Sequence, residues 1–229
     1  MVAAIILSGG RGTRLGGDIP KQYICVNDIP IIVYGLRVFE NNPNIDYIVI
    51  VAENNWRGFL DKYVSNNHIT KFAGIASAGV SRQHSIVSGL KKCLELGFSA
   101  TDKIIIHDAA RPNVSDETIN QCIQGLDEYD GVMPVLPVKD TIYYSETGEQ
   151  ISSLLNRDQL FAGQAPESFL FSKYLNIHEG MTEEQLSLVR GSSEIAFRHG
   201  LKVKLIPGDE HNYKITTMAD LEKFKSEVE

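Results

Sequence analysis

The stretch LSGGRGTRLGGDIPKQY, residues 7–23, carries five glycines and three cations directly behind the apolar run Val2–Leu7. Glycine lets backbone N–H groups approach a ligand closely, and paired cations suit polyanions. Ser8, Gly9, Gly10, Gly12 and Arg14 therefore read as a phosphate-binding loop at the end of a strand. No Gly-Lys-Ser/Thr follows, so it is not a P-loop; a dinucleotide fingerprint opening at Gly10 meets Leu15 where its third glycine belongs. Lys21, behind Pro20, is a second cation that with Arg14 could clamp a triphosphate from two sides. The plain alternatives are a chain-reversing glycine turn and a solvated lysine.

Two further constellations extend the theme. In IIIHDAARP (residues 104–112) an apolar strand runs into His107-Asp108, with Arg111 just beyond. An aspartate at the carboxyl end of such a strand is placed to hold Mg²⁺, and Arg111 to hold a second phosphate; a helix cap is the competing role for Asp108. GVSRQHSIVSGL (residues 79–90) puts a glycine turn before a helix start. Gly79, Arg82 and Ser85 are candidates for nucleotide contact, with Ser81 as an ordinary cap and His84 as a surface or packing histidine. Arg157 in LLNRDQL and Lys214 in HNYKITT are lone cations at the edges of apolar segments, where surface charges are common.

Elements must hold these residues together. Apolar, β-branched runs at Ala3–Leu7, Tyr47–Val51, Lys103–His107, Val132–Val138 and Val203–Ile206 predict strands. Helical patterns at Pro30–Glu40, Trp56–Val64, Arg82–Leu96, Asp116–Tyr129 and Glu194–Gly200 alternate with them. Nearly continuous hydrophobic strands alternating with helices predict an α/β fold with a doubly wound, mostly parallel sheet, whose ligands sit beyond the strands' carboxyl ends. KDTIYYSETGEQISSLL (residues 139–155) breaks the rhythm and predicts a hairpin, Thr141–Ser145 with Glu149–Leu154. A lone hairpin is marginal in water, so this protruding arm is expected to pack on something, such as another subunit. With no linker or repeat, a single domain over 1–229 with an arm at about 139–160 is expected.

Composition narrows the function classes. A net charge of −7 gives no broad grip on nucleic acid, so phosphate chemistry here rests on a few focused cations and a small substrate. Cys25, Cys93 and Cys122 are too sparse for a disulfide framework or a zinc site and read as inert thiols. The chain lacks the long apolar run of a membrane span and the basic start of a signal peptide, and a cytoplasmic location is expected.

Taken together, these motifs resemble the cytidylyltransferase family that makes CDP derivatives of 2-C-methyl-D-erythritol and ribitol. The resemblance runs through the loop, GVSRQHS, HDAARP, the PVKDT strand end, Asn156-Arg157, QAPESF and YKITT. Sugar-1-phosphate nucleotidyltransferases share the loop's start but space Arg and Lys more widely. The resemblance implies a nucleotidyltransferase-type, Rossmann-like fold and a homodimer joined through the arm. It implies that Ser8, Gly9, Gly10, Gly12, Arg14 and Lys21 wrap the CTP triphosphate and that Gly79, Arg82 and Ser85 hold the nucleoside end. Asp108 would support Mg²⁺, while Arg111, Thr141, Arg157 and Lys214 would line the acceptor-phosphate site. Arg14, Lys21 and Lys214 are the expected catalytic groups.

The departures from this family's pattern lie toward the acceptor. Methylerythritol enzymes usually carry Thr-Pro-Gln where this chain has Ala165-Pro166-Glu167, and an acidic position reads Gly191. The implied reaction is cytidylyl transfer from CTP to a polyol phosphate, with ribitol 5-phosphate favoured. The alternative acceptor is 2-C-methyl-D-erythritol 4-phosphate of isoprenoid biosynthesis. From another class, a non-catalytic nucleotide-binding regulatory subunit is the competing reading, and a nicotinamide dehydrogenase fits less well.

Overall fold

The computed structural model describes residues 1–10, 19–189 and 191–228. The predicted loop residues Gly12 and Arg14 lie outside the described residues. The chain starts with β1 (Val2–Leu7), a short ribbon of β2 (Cys25–Val26) and β3 (Ile29–Pro30), and α1 (Ile31–Asn41). It continues through β4 (Tyr47–Ala52), α2 (Arg57–Asn66), β5 (Phe72–Ser77), α3 (Arg82–Glu95), β6 (Lys103–Asp108), α4 (Asp116–Gly125) and β7 (Gly131–Pro137). Then come the hairpin strands β8 (Tyr143–Tyr144) and β9 (Ser153–Leu154), followed by β10 (Phe161–Gly163) and β11 (Glu167–Leu170). Helices α5 (Phe171–Glu179), α6 (Glu183–Leu188) and α7 (Ser192–Arg198), strand β12 (Val203–Pro207) and helix α8 (Met218–Val228) complete it.

The strands β5, β4, β1 and β6 pair side by side and parallel, as their apolar runs predict. Alternation along β1 sends Ala4 and Ile6 to one face and Ala3 and Ile5 to the other. The first face is covered by α1, α2 and α4 through Leu36, Phe39, Leu60 and Ile119. The second is covered by α3, α5 and α7 through Ile86, Leu90, Tyr174 and Ile195. A sheet buried on both faces needs strands with continuous apolar stretches, and β1, β4 and Ile104–Ile106 in the centre of β6 are such stretches.

The sheet is mixed rather than wholly parallel. Strand β11 runs antiparallel between β6 and β7, and β10 runs antiparallel along the far part of β7, while β12 pairs parallel with β7. These reversed strands are short and hold no β-branched residue, so no apolar run marks them. Strand β5, FAGIAS, also escaped the reading: Gly74 sits at φ +120, and the register with β4 shifts at Ile48/Val49. The hairpin forms, but each strand has only two residues, around a turn in which Gly148 adopts φ +82. Helix α7 starts two residues before the predicted Glu194, and α4 ends four residues before Tyr129.

Chain order creates the site. After β1 the strands step outward to β4 and β5, and β6 then returns to the other side of β1. The carboxyl ends of β1 and β6 thus flank a topological switch point, where open α/β sheets bind ligands.

Candidate active site

A cavity of about 420 Å³ opens at this switch point, lined by Leu7, Gly9 and Gly10 from the β1 exit and Asp108 from the β6 exit. Gly79, Ser81, Arg82 and Ser85 line it from the start of α3, and Lys21, Lys214 and Thr216 from loops. The structure thereby gathers Lys21, Gly79, Arg82, Ser85, Asp108 and Lys214, which are far apart in the chain.

The β1 exit is fixed by residues that the sequence reading did not single out. The Gln22 side-chain amide donates to the Ser8 carbonyl at 2.7 Å and the Gly10 carbonyl at 2.9 Å. The Ser8 hydroxyl donates to the Tyr23 oxygen at 2.8 Å, and the Tyr23 ring packs 4.4 Å from Trp56. Gln22 and Tyr23 are both buried, so the short helical turn Lys21–Tyr23 is bolted to the core and carries Lys21 to the cavity. A polar pair inside the KQY motif was the available signal.

The Gly79 turn requires glycine: a Cβ there would lie 2.3 Å from the His84 Cβ and 2.8 Å from its backbone carbon. The Gly79 N–H donates to the Ser85 hydroxyl at 3.0 Å, so Ser85 shapes the turn as well as facing the cavity. Ser81 caps α3, as one alternative had it, and also meets His84 Nδ1 at 2.7 Å.

Asp108 is the hub. It is 8% exposed, accepts from Arg82 Nη1 at 2.5 Å and from Lys214 Nζ at 2.9 Å, and lies 3.6 Å from Arg111 Nε. Burial alone would raise its pKa, but the cations Arg82, Lys214 and Arg111 overcome that and hold the carboxyl well below the usual carboxylate range. Burial works against the Arg82 charge, yet Asp108 and Glu167 outweigh it and raise its pKa. The expectation of a metal ligand at Asp108 meets a different geometry: both carboxylate oxygens already face cations. Among the described residues no three His, Cys, Asp or Glu side chains converge as a metal site. A Mg²⁺ ion held here would thus have one described protein carboxylate, Asp108, and would need its remaining ligands from substrate phosphates and water, while Asp108 also faces three cations.

The remaining predicted residues divide. Arg111 reaches this hub but also donates from Nη1 to the Asn212 carbonyl at 2.6 Å, which ties it to the Lys214 segment. His107, next to Asp108, is structural: buried against Phe39, it faces the Arg111 carbonyl through Nε2 at 3.0 Å. Thr141 and Arg157 are exposed and line no part of the cavity; Arg157 Nη1 donates to the Lys139 carbonyl at 3.0 Å within the arm.

The two acceptor-side departures also stand behind the wall. Ala165 is 4% exposed, its carbonyl accepting from Asn212, and Gly191 precedes α7 with its carbonyl accepting from Gln83. Neither lines the cavity.

The family described as IspD, 2-C-methyl-D-erythritol 4-phosphate cytidylyltransferase, matches residues 2–228. The chain is 34% identical to 2-C-methyl-D-erythritol 4-phosphate cytidylyltransferase of Clostridium beijerinckii, over 96% of this chain and 95% of that protein. It is 31% identical to ribitol-5-phosphate cytidylyltransferase of Lacticaseibacillus paracasei, over 99% of this chain and 97% of that protein. Its fold is similar to the crystal structure of 4-diphosphocytidyl-2C-methyl-D-erythritol synthase from Anaerococcus prevotii, with a TM-score of 0.83 at 21% identity, covering 99% of this chain and 95% of that one. The nucleotide-side motifs and the sheet that presents them thus have the same explanation: the chain belongs to the IspD family of cytidylyltransferases, enzymes of the nucleotidyltransferase type.

Proposed function

We propose that this chain transfers a cytidylyl group from CTP to ribitol 5-phosphate, releasing pyrophosphate and forming CDP-ribitol. The observation that carries cytidylyl transfer is the charge balance of the cavity; ribitol 5-phosphate as the acceptor is supported by the Lacticaseibacillus relative. Three cations, Lys21, Arg82 and Lys214, line it against one described carboxylate, Asp108; Arg82 is paired with that carboxylate, and the excess positive charge of Lys21 and Lys214 faces the phosphates. Such a pocket has no spare base, and this reaction needs none. A phosphomonoester is already an anionic nucleophile near neutral pH, and the enzyme's task is to bring two polyanions together in line.

In this reading, Ser8, Gly9, Gly10, Gly12, Arg14 and Lys21 wrap the triphosphate, while Gly79 and Ser85 read the base. Lys214 and Arg111, ordered by Asp108, draw in the acceptor phosphate. An oxygen of that phosphate forms a bond to the α-phosphorus of CTP as the bond to the β-phosphate oxygen breaks, and the electron pair leaves with pyrophosphate. Lys21 and Arg14 meet the charge that gathers on the α-phosphate oxygens. Mg²⁺ belongs to this reading: beside Asp108 it would supply positive charge against the triphosphate. The arm at 139–160 is a dimerisation arm that carries Thr141 and Arg157 to a partner's acceptor site, and the enzyme works in the cytoplasm.

The second acceptor, 2-C-methyl-D-erythritol 4-phosphate, is favoured by the family's own description and by the Clostridium relative. Rates of pyrophosphate release with CTP, Mg²⁺ and each acceptor separate the two. The expected result is a kcat/KM more than tenfold higher for ribitol 5-phosphate, or roughly 1.4 kcal/mol of transition-state binding. Equal values, or a preference for the methylerythritol phosphate, overturn the acceptor and leave cytidylyl transfer standing.

A further inference from the structure

Arg82 is held from two sides. Its Nη1 lies on Asp108 in the cavity wall, while Nη2 lies 3.4 Å from Glu167 Oε1 and 3.3 Å from the Ser192 hydroxyl behind that wall. Glu167 is the first residue of β11, pairs with Ile106 and is 7% exposed. Because β11 runs against its neighbours, its beginning lies at the carboxyl edge of the parallel strands, two residues from Asp108 along β6. The other oxygen, Oε2, accepts from the Ser193 N–H at 2.7 Å and from the Ser193 hydroxyl at 2.6 Å. Those bonds aim the carboxylate and leave Oε1 toward Arg82.

A buried carboxylate without a compensating cation is costly, so Glu167 and Arg82 hold each other in place. Glu167 lines no part of the cavity. Its effect on chemistry has to pass through the guanidinium.

We propose that Glu167 is a positioning residue that keeps Arg82 committed to Asp108 and away from the incoming phosphates. Without the rear carboxylate, the guanidinium would carry a larger uncompensated charge and would turn to the most anionic group within reach, the nucleotide or its pyrophosphate product. Gripping the ground state and the leaving group more tightly lowers KM without lowering the barrier, and it slows pyrophosphate departure. Releasing Arg82 would also loosen Asp108, and with it the Lys214 that Asp108 orients. This inference rests on the cytidylyltransferase reading for its effect on turnover, but its effect on pyrophosphate affinity does not.

The test is the affinity of the whole protein for inorganic pyrophosphate, by titration calorimetry, beside steady-state turnover with CTP and ribitol 5-phosphate. Glu167→Gln keeps the shape and, through its amide oxygen, the bonds from Ser193, while an uncharged NH2 replaces the oxygen that faced Arg82, so both the charge and that acceptor are lost. It is expected to bind pyrophosphate about tenfold more tightly while kcat falls about tenfold. Adding Ser192→Asp to that variant returns a carboxylate to the same guanidinium from α7 and should reverse the tighter binding. Ser193→Ala, which removes an aiming hydrogen bond but no charge, should leave the affinity within about twofold. Unchanged or weaker pyrophosphate binding in a folded Glu167→Gln variant would overturn the proposal. So would a Ser193→Ala variant that matches Glu167→Gln, because the role would then be packing. If Glu167→Gln does not fold, Ser192→Asp in the otherwise unchanged chain makes the opposite test: weaker pyrophosphate binding supports the proposal and unchanged binding overturns it. A wild-type protein that binds pyrophosphate but shows no acceptor-dependent turnover would sink the function and leave the Glu167 comparison intact.

Discussion

The wall around Asp108 and the arm at 139–160 both carry residues expected at the acceptor site, yet they are built in opposite ways. In the wall, a carboxylate 8% exposed is contacted from α3, from the turn after β6 and from the segment before α8. In the arm, two strands of two residues pair only with each other, and Tyr143, Tyr144, Ile151 and Leu154 are exposed at 56%, 48%, 64% and 69%. A buried ionic hub fixes side chains within one chain, because losing any member strands a charge. An apolar hairpin with no cover of its own fixes nothing until another surface meets it.

The largest effect that sharpens this contrast is on stability. Burial, above all, pushes the His107 imidazole beside the hub down to about 4 from its ordinary 6.5. The unfolded chain therefore takes up a proton that the native state refuses between those values. Stability is complete above pH 6.5 and falls as the pH drops toward 4, by roughly 3 kcal/mol in all. Urea unfolding across this window should show the loss, and His107→Gln should remove most of it, leaving the part that comes from His178, whose imidazole burial also holds down; the depressed carboxyls Asp102 and Asp220 act only below it. A curve unchanged by His107→Gln would take His107 out of the account.

On the nucleotide side, Lys21→Ala should lower turnover about a hundredfold, or roughly 2.7 kcal/mol, with little change in melting temperature. Near-normal turnover would remove Lys21 from the transition state, and a collapsed melting transition would make it structural. Gly79→Ala drives a Cβ into His84 and should cost about 1–3 kcal/mol of stability, with a raised KM for CTP. A variant of normal stability and KM would show that the turn can yield.

The arm predicts the smallest and most selective change. Arg157→Ala should raise the acceptor KM about tenfold, roughly 1.4 kcal/mol, and leave the KM for CTP alone. Ile151→Asp should lower the sedimentation coefficient from dimer to monomer and reproduce the same acceptor defect. A wild-type monomer at micromolar concentration would break the assignment of Thr141 and Arg157 to a shared site.

The same contrast explains what could be read from the chain. The strand and helix order around β1, β4 and β6 was legible because burial on both faces writes continuous apolar runs into the sequence. Gly79 was legible because its turn tolerates no side chain. The partners of Asp108 were not, since Arg82 and Lys214 lie 26 and 106 residues away and only the sheet's return to β6 brings them together. Glu167 was read only as part of a departing triplet, and its contact with Arg82 stayed hidden because β11 is four residues long and runs against its neighbours, a reversal that no local periodicity records. Gln22 and Tyr23 read as neighbours of a cation, whereas their work is to hold Ser8 and Gly10 from the inside.

The central claim, that the cavity joins two polyanions through the α-phosphorus, is tested most directly by following that atom. Wild-type protein would be incubated with CTP labelled at the α-phosphorus, Mg²⁺ and ribitol 5-phosphate, and the products separated. The account predicts label in CDP-ribitol at the rate at which pyrophosphate appears, and no release when the acceptor is left out. Label that remains in CTP despite tight nucleotide binding, or that appears as CMP regardless of acceptor, would contradict it.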